Sequence, residues 1–134
     1  HQNLQFMLIK SDTKEKFHVI TLSESQISAS IADDMAVQIL AFLQEEVKNV
    51  VMNLDSVSAI ELPAAEKLVQ IQQQFYENGS SFVICNLQPQ VEQFLDENEL
   101  LELMNVTPTE SEAWDIVQME EMEREIFGED DLNG

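Results

Sequence analysis

Side chains that commonly carry catalysis or bind metals are scarce in this chain, and their spacing gives them no partners. His1 and His18 are the only histidines, and neither has a second histidine four residues away, as a helical zinc site requires. We expect His18 to be an ordinary strand residue at the edge of a sheet. The sequence therefore predicts no metal site.

Cys85 is the single cysteine and ends the apolar run 81–85. A reactive thiol usually lies at a helix start or beside a basic group, either of which lowers its pKa, and this run provides neither. One cysteine cannot form an intramolecular disulfide, and a free thiol suits a reducing compartment. We therefore expect an unreactive thiol and a cytoplasmic location.

Nucleotide binding and acid-base catalysis also lack a motif. Gly79, Gly128 and Gly134 are the only glycines, which excludes a phosphate-binding glycine loop and a dinucleotide fingerprint. Carboxylate pairs such as Glu45-Glu46 recur throughout the chain, so no pair is singled out for catalysis, and the spacing of an EF-hand is absent. We expect no catalytic residue, no cofactor and no enzymatic activity.

The charge balance limits the classes of partner. The chain has 134 residues, enough for one domain, with 26 acidic against 6 basic residues and a formal net charge of -20. Such a charge repels phosphate backbones and anionic membranes, so we expect no binding to nucleic acid. No run of eighteen apolar residues occurs, so no membrane span is predicted. The charge either serves solubility or steers the chain toward a basic partner.

Apolar runs and helical periodicity alternate along the chain and predict an α/β fold. Strands are predicted at 6–9, 17–22, 50–54 and 81–85, and helices at 31–47, 63–76, from 89 and from 110. Residues 11–16 are predicted to form the turn of an initial hairpin. The run 50–54 is typical of a strand buried on both faces, and so a central one. Helices between strands imply right-handed crossovers onto a mostly parallel sheet with an N-terminal antiparallel edge strand and about four helices.

Both ends of the chain lie outside this pattern. Residues 1–6 are either native or a cloning remnant, with Met7 as a candidate native start. Thr109 and Glu112 have the spacing of a capping box for the last helix. We assign residues 1–118 to the domain and 119–134 to an acidic extension, with the last seven residues disordered.

An apolar stripe in this extension is expected to pack on its own domain, and packing against a partner protein is the alternative. Its residues are Met119, Met122, Ile126 and Phe127.

The sequence resembles a known protein family in four stretches, which are residues 50–65, 79–91, 100–103 and 110–113. In order, they resemble the STAS family, the domain shared by anti-sigma factor antagonists, stressosome components and the cytoplasmic tails of sulfate transporters. The resemblance covers nearly the whole chain. It implies a small strand at 100–103, a last helix at 110–113, and the function of a bacterial, protein-binding signalling module in transcription regulation.

The resemblance also marks a departure at the family's switch loop. In antagonists of this family a loop serine is phosphorylated by a kinase that is also the anti-sigma factor, and only the unphosphorylated form captures that kinase. The family's loop reads aspartate-serine-serine-glycine, whereas this chain has Glu61, Leu62, Pro63 and Ala64 at those positions. Because no hydroxyl remains there, we expect no phosphorylation switch at this position.

By the same resemblance, the partner-binding residues are expected at this loop and the helix start that follows. They are Ser58, Glu61, Leu62, Pro63, Ala64 and Ala65. The implied partner is an anti-sigma factor kinase or a related serine phosphatase, through which the chain regulates a sigma factor pathway. The alternative is a non-phosphorylatable scaffold subunit of a larger assembly, with other STAS chains or a second copy as partner. Whether Ser56 or Ser58 is modified instead stays open.

Overall fold

The computed structural model describes the backbone of residues 8–133 and the side chains of residues 8–128, so the calls on residues 1–7 lie outside the described part. Strands β1 (Ile9–Thr13) and β2 (His18–Leu22) form the expected antiparallel hairpin. The predicted turn at 11–16 was wrong, because residues 11–13 continue β1. β1 lies at the edge of the sheet and exposes every residue after Ile9, so polar residues suit it.

Within residues 8–133 the central sheet has five strands, in the order β1-β2-β4-β6-β7. Its later members are β4 (Val50–Asn53), β6 (Phe82–Cys85) and β7 (Val106–Thr107), and every pair from β2 onward is parallel. This confirms the mostly parallel sheet with an antiparallel N-terminal edge, and it confirms β4 as the central strand. Buried side chains on both faces of β4 and β6 explain their nearly continuous apolar sequence.

The described part of the chain forms four α-helices, which connect and cover the strands. They are α1 (Ala32–Leu40), α2 (Leu62–Glu77), α3 (Pro89–Glu97) and α4 (Glu110–Asn133). The helix expected at 31–47 is shorter than predicted, because its last part is the 3₁₀ turn Ala41–Gln44. The small strand expected at 100–103 was also wrong: Leu101–Leu103 is a 3₁₀ turn, and the small strand is β7.

Two apolar layers lie on opposite faces of the sheet. The larger one packs α1, α2 and α3 against one face, and the smaller one packs α4 against the other. In the smaller layer Ala113 and Val117 of α4 contact Val51 and Val83, and the Trp114 ring stacks on Phe17 with the centroids 4.9 Å apart. The molecule is therefore an α/β sandwich. No helix in the described part of the chain is long and apolar enough to cross a membrane.

Thr109 caps the start of α4, which is one half of the predicted capping box, and the Glu112 carboxylate contacts the Thr109 hydroxyl. The Thr109 Oγ1 atom accepts a hydrogen bond from the Glu112 backbone N–H at 3.2 Å and donates one to Glu112 Oε1 at 3.0 Å. The helix then crosses the boundary expected after residue 118 without a break. The division into a domain and an extension, and the disorder of the last residues, stay predictions, since the side chains after residue 128 lie outside the described part.

A buried polar cluster fastens α4 to the amino-terminal ends of β4 and β6. Asn49, which precedes β4, donates through Nδ2 to Glu121 Oε2 at 2.7 Å. Ser81, which precedes β6, donates through Oγ to Glu120 Oε1 at 2.6 Å and accepts from Arg124 Nη1 at 3.2 Å. The side of α4 that carries these three residues therefore faces the sheet as far as residue 124.

Candidate partner-binding site

The loop singled out by the sequence follows the central strand and is held at both ends. Leu54 and Val57 are buried, which fixes the chain as it leaves β4. The two-residue strand β5 (Ala59–Ile60) then pairs in parallel with β3 (Gln26–Ile27), forming a small second sheet. The Glu61 backbone N–H continues this pairing by donating to the Ile27 carbonyl at 2.9 Å. Backbone hydrogen bonds to β3 therefore hold the start of α2 in place.

The six residues expected to bind a partner divide by exposure. Ser58, Glu61, Leu62 and Pro63 are exposed, and we call these four the α2-start face. Ala64 and Ala65 are fully buried, and Ala64 belongs to the large apolar layer. A buried side chain cannot contact a partner directly, so the two alanines position α2 beneath the face. The sequence-based assignment of the site stays a prediction, now limited to four surface residues.

Glu61 joins the start of α2 to the segment that leads into α1. Its Oε1 atom accepts a hydrogen bond from the Ala29 backbone N–H at 2.6 Å, at the start of the 3₁₀ turn Ala29–Ile31. A carboxylate is favoured at such a start because the first N–H groups of a helix lack internal partners. Glu61 therefore has a structural role on the surface, in addition to its negative charge beside Leu62.

Leu62 and Pro63 give the face its apolar character. Leu62, the first residue of the helix, keeps 39% of its surface exposed. Pro63 suits the first turn of a helix because its missing N–H is not needed there and its φ is already helical. An exposed leucine on a rigid backbone is suited to fill a shallow apolar pocket on another protein.

Two glutamines from the start of α3 contact this loop, and sequence reasoning missed them. Gln88 Nε2 donates to the Asp55 carbonyl at 2.7 Å, and Gln90 Nε2 donates more weakly to the Ser58 carbonyl at 3.4 Å. Ser58 in turn donates through its backbone N–H to the Ser25 carbonyl at 2.7 Å. The sequence carries no signal for these pairs, because glutamines occur in each of the four helices.

Cys85 is poorly suited to nucleophilic chemistry. Its side chain is fully buried at the end of β6 against α4. Burial, together with smaller effects of the nearby Glu110 and Asp55 carboxylates, raises the pKa of the Cys85 thiol to about 12. The thiol is therefore protonated at neutral pH, and a protonated thiol is a weak nucleophile.

His18 is buried, and the expectation of an edge position was wrong, since β2 lies between β1 and β4. The Nε2 atom donates to the Val47 carbonyl at 2.7 Å, and Nδ1 lies 2.8 Å from Thr13 Oγ1. A carbonyl only accepts, so Nε2 carries a proton and is the donor in the bond to Val47. Among the described residues, no three histidine, cysteine or acidic side chains converge as metal ligands.

The fold is shared with solved structures. An anti-sigma factor antagonist from Mycobacterium paratuberculosis has a TM-score of 0.71 at 15% identity, covering 86% of this chain and 97% of that one. An anti-sigma-factor antagonist (STAS) domain protein from Planctomyces limnophilus has a TM-score of 0.70 at 19% identity, covering 82% and 97%. The murine anion transporter Solute Carrier 26 family member A9 has 0.66 at 13% identity, covering 81% of this chain but 18% of the transporter.

Sequence comparisons test family membership more directly than the shared fold does. No curated protein matches the chain significantly in sequence. The sequence does match the family model of the STAS domain over residues 9–113, which include the whole sheet, the α2-start face and the first turn of α4. The chain belongs to the STAS domain family.

Proposed function

We propose that this chain is a regulatory protein-binding module that docks through the α2-start face, and that the docking is not gated by serine phosphorylation at the usual loop. The observation that carries the proposal is the exposed pair Leu62 and Pro63 on a rigid helix start, in the loop where antagonists of the family carry their switch. The sigma factor pathway is the proposed setting, and the cytoplasm the proposed location.

The chemistry of the face supports docking by apolar contact. Burial of the surface that Leu62 leaves exposed would contribute on the order of 1–2 kcal/mol to binding. The backbone beneath is held by the pairing of β3 with β5 and by the bond from Ala29 to Glu61, so little ordering entropy would be lost on docking. Glu61 would add a negative charge at the rim, which favours a partner surface with a basic group nearby.

The proposed partner is an anti-sigma factor kinase or a related serine phosphatase. Two solved structures with this fold are named as anti-sigma factor antagonists, which supports the partner class. Positions 61–64 hold no hydroxyl, so a kinase that bound here would have no substrate at these positions. Such a complex would be controlled by the amounts of the two proteins rather than by phosphate at this loop.

The test is affinity capture of the tagged full-length chain from its native cells, followed by mass spectrometry, with Leu62→Arg in parallel. We expect the wild-type chain to recover a histidine-kinase-like ATPase or a serine phosphatase, and Leu62→Arg to bind that protein at least about tenfold more weakly, because an arginine cannot enter an apolar pocket without a partner charge. Binding of the purified pair is then measured directly by titration calorimetry.

Tyr76→Arg is the matched control. Tyr76 is exposed in the last turn of the same helix, about 21 Å from Leu62 along the axis at 1.5 Å per residue. The change adds the same charge to α2 and should leave binding unchanged. If Leu62→Arg folds normally and binds the recovered partner as tightly as Tyr76→Arg does, the α2-start face is not the docking surface.

A scaffold role in a larger STAS assembly is the second candidate, and the missing hydroxyls favour it, since a structural subunit needs no switch. It predicts that only other STAS chains are captured, or that the mass measured by light scattering rises with protein concentration. A constant monomer mass together with capture of an ATPase would contradict the scaffold role.

A further inference from the structure

An apolar stripe runs along the exposed side of α4. Met119, Met122 and Ile126 each leave half or more of their surface exposed, and they follow one another at helical spacings of three and four. We call these three residues the outer stripe. Phe127 is also exposed, but at about 100° of rotation per residue it lies on the side of α4 that carries Glu120. The expectation that these side chains pack on their own domain was therefore wrong.

The contacts of α4 fix the direction in which the outer stripe points. Ala113 and Val117 enter the small apolar layer, and Glu120, Glu121 and Arg124 bond to the ends of β4 and β6. At about 100° of rotation per residue, the outer stripe lies on the opposite side of the helix from these five. Within the described part of the chain, no side chain of the sheet or the other helices covers the outer stripe.

The charges around the outer stripe are of one sign. Glu123 and Glu125 are exposed and border the outer stripe on opposite sides, and the exposed Asp115 lies in line with it, four positions before Met119. Arg124 is the single basic residue of α4, and its guanidinium bonds to Ser81 on the inner side. The face is therefore apolar along its middle and negative along its edges.

We propose that the outer stripe of α4 is a docking site for a basic amphipathic helix of a partner protein. Apolar side chains of that helix would pack on the two methionines and Ile126, and its lysines or arginines would pair with the bordering carboxylates. Methionine suits such a surface because its unbranched side chain adapts to the shape of a partner. This surface is separate from the α2-start face and does not depend on it.

Charge complementarity selects this occupant over the others. A second copy of the chain would bring another formal charge of -20 and the same acidic borders against the stripe, so like charges would face each other. An anionic lipid surface would be repelled for the same reason. A basic helix relieves the repulsion among the carboxylates while it covers the apolar residues.

The test uses the full-length chain and a synthetic probe peptide of about 18 residues, with leucine at helical spacing on one face and lysine elsewhere. A second peptide has the same leucines with glutamate in place of lysine. We expect the lysine peptide to bind and the glutamate peptide not to bind. The affinity should fall as salt rises from about 0.05 to about 0.5 M, because salt screens the charge pairs.

The double variant Met122→Ala with Ile126→Ala removes apolar surface while keeping good helix formers, so α4 should remain intact. We expect it to lose at least about tenfold in affinity for the lysine peptide, measured by fluorescence anisotropy. Val37→Ala, which trims an exposed apolar side chain of α1, should bind like the wild-type chain.

Equal binding by the double variant and Val37→Ala would overturn the proposal, since the peptide would then be held by acidic charge alone. Binding of the glutamate peptide with the same affinity would overturn it as well. A dimer detected by sedimentation equilibrium, present in the wild-type chain and lost in the double variant, would assign the stripe to a second copy instead.

Discussion

Asn49 makes several hydrogen bonds in the polar cluster that fastens α4, and its replacement by alanine should destabilise the fold. Asn49 is only 5% exposed. Its Oδ1 atom accepts from the Ser81 backbone N–H at 2.9 Å and from Ser80 Oγ at 3.2 Å, and its Nδ2 atom donates to the Lys16 carbonyl and to Glu121. Arg124 Nη2 also donates weakly to this Oδ1 atom at 3.5 Å. Alanine removes all five hydrogen bonds without changing the backbone of β4.

The size of the stability loss depends on which polar groups Asn49→Ala leaves without a hydrogen-bond partner. Ser81 is 1% exposed, so its backbone N–H would be buried and unpaired, which costs about 1–3 kcal/mol. Ser80 is also buried, but its hydroxyl can rotate toward another acceptor and adds less. Lys16 and Glu121 are nearer to solvent, and water can replace their lost partner. The free energy of unfolding should therefore fall by about 2–4 kcal/mol.

Urea unfolding followed by tryptophan fluorescence measures this loss. Trp114 is the single tryptophan, and its stacking on Phe17 makes its emission sensitive to the detachment of α4. For a protein of this size the slope m is about 1–3 kcal/mol per molar urea, so the midpoint should fall by roughly 1–2 M with m unchanged.

Asn98→Ala is the control, because Asn98 is exposed at the end of α3 and its Nδ2 atom donates only to the Phe94 carbonyl. That change should cost less than about 1 kcal/mol, since water replaces the bond. If Asn49→Ala costs no more than Asn98→Ala, the Ser81 N–H is satisfied without Asn49, and the reasoning about the cluster is refuted.

Two further predictions concern α4 and its contacts with the sheet. Because burial raises the pKa of the Cys85 thiol from its usual value near 9 to about 12, the unfolded chain ionises first, and the free energy of unfolding should fall as pH rises through this window. Urea titrations at several pH values should show a smaller decline for Cys85→Ala, and an equal decline would contradict the prediction. Thr109→Ala removes the cap of α4 and should cost about 1 kcal/mol in thermal unfolding, whereas Thr109→Ser should restore most of it; equal losses would exclude the hydroxyl as the cause.

The parts of the fold that could be predicted are those whose signals are local. β4 and β6 are short apolar runs buried on both faces, and α2 has a proline at its start and an apolar face at helical spacing. The pair β3–β5 could not be predicted, because each strand has two residues and its partner lies more than thirty residues away. The polar strand β1 was misplaced because an edge strand needs few apolar residues.

The candidate site shows where a resemblance and a periodicity disagree. The resemblance places Ala64 in partner contact, whereas its spacing from Leu68 and Ile71 is that of one apolar helical face, which usually packs inward. The structure agrees with the periodicity, since all three are buried. The bond from Ala29 to Glu61 spans 32 residues and depends on how two elements pack, so no local pattern could indicate it.

The same contacts bear on the serine that remains beside the site. Ser58 Oγ is exposed and donates to the Ser25 carbonyl at 3.3 Å, next to the backbone bond that joins the same two residues. A phosphate on Ser58 would lose that donor and would place two negative charges against a carbonyl oxygen, near the start of β5. It would therefore strain the pairing of β3 with β5 that supports Glu61 and Leu62. Phosphate at this position would act through the support of the face, rather than on its apolar surface.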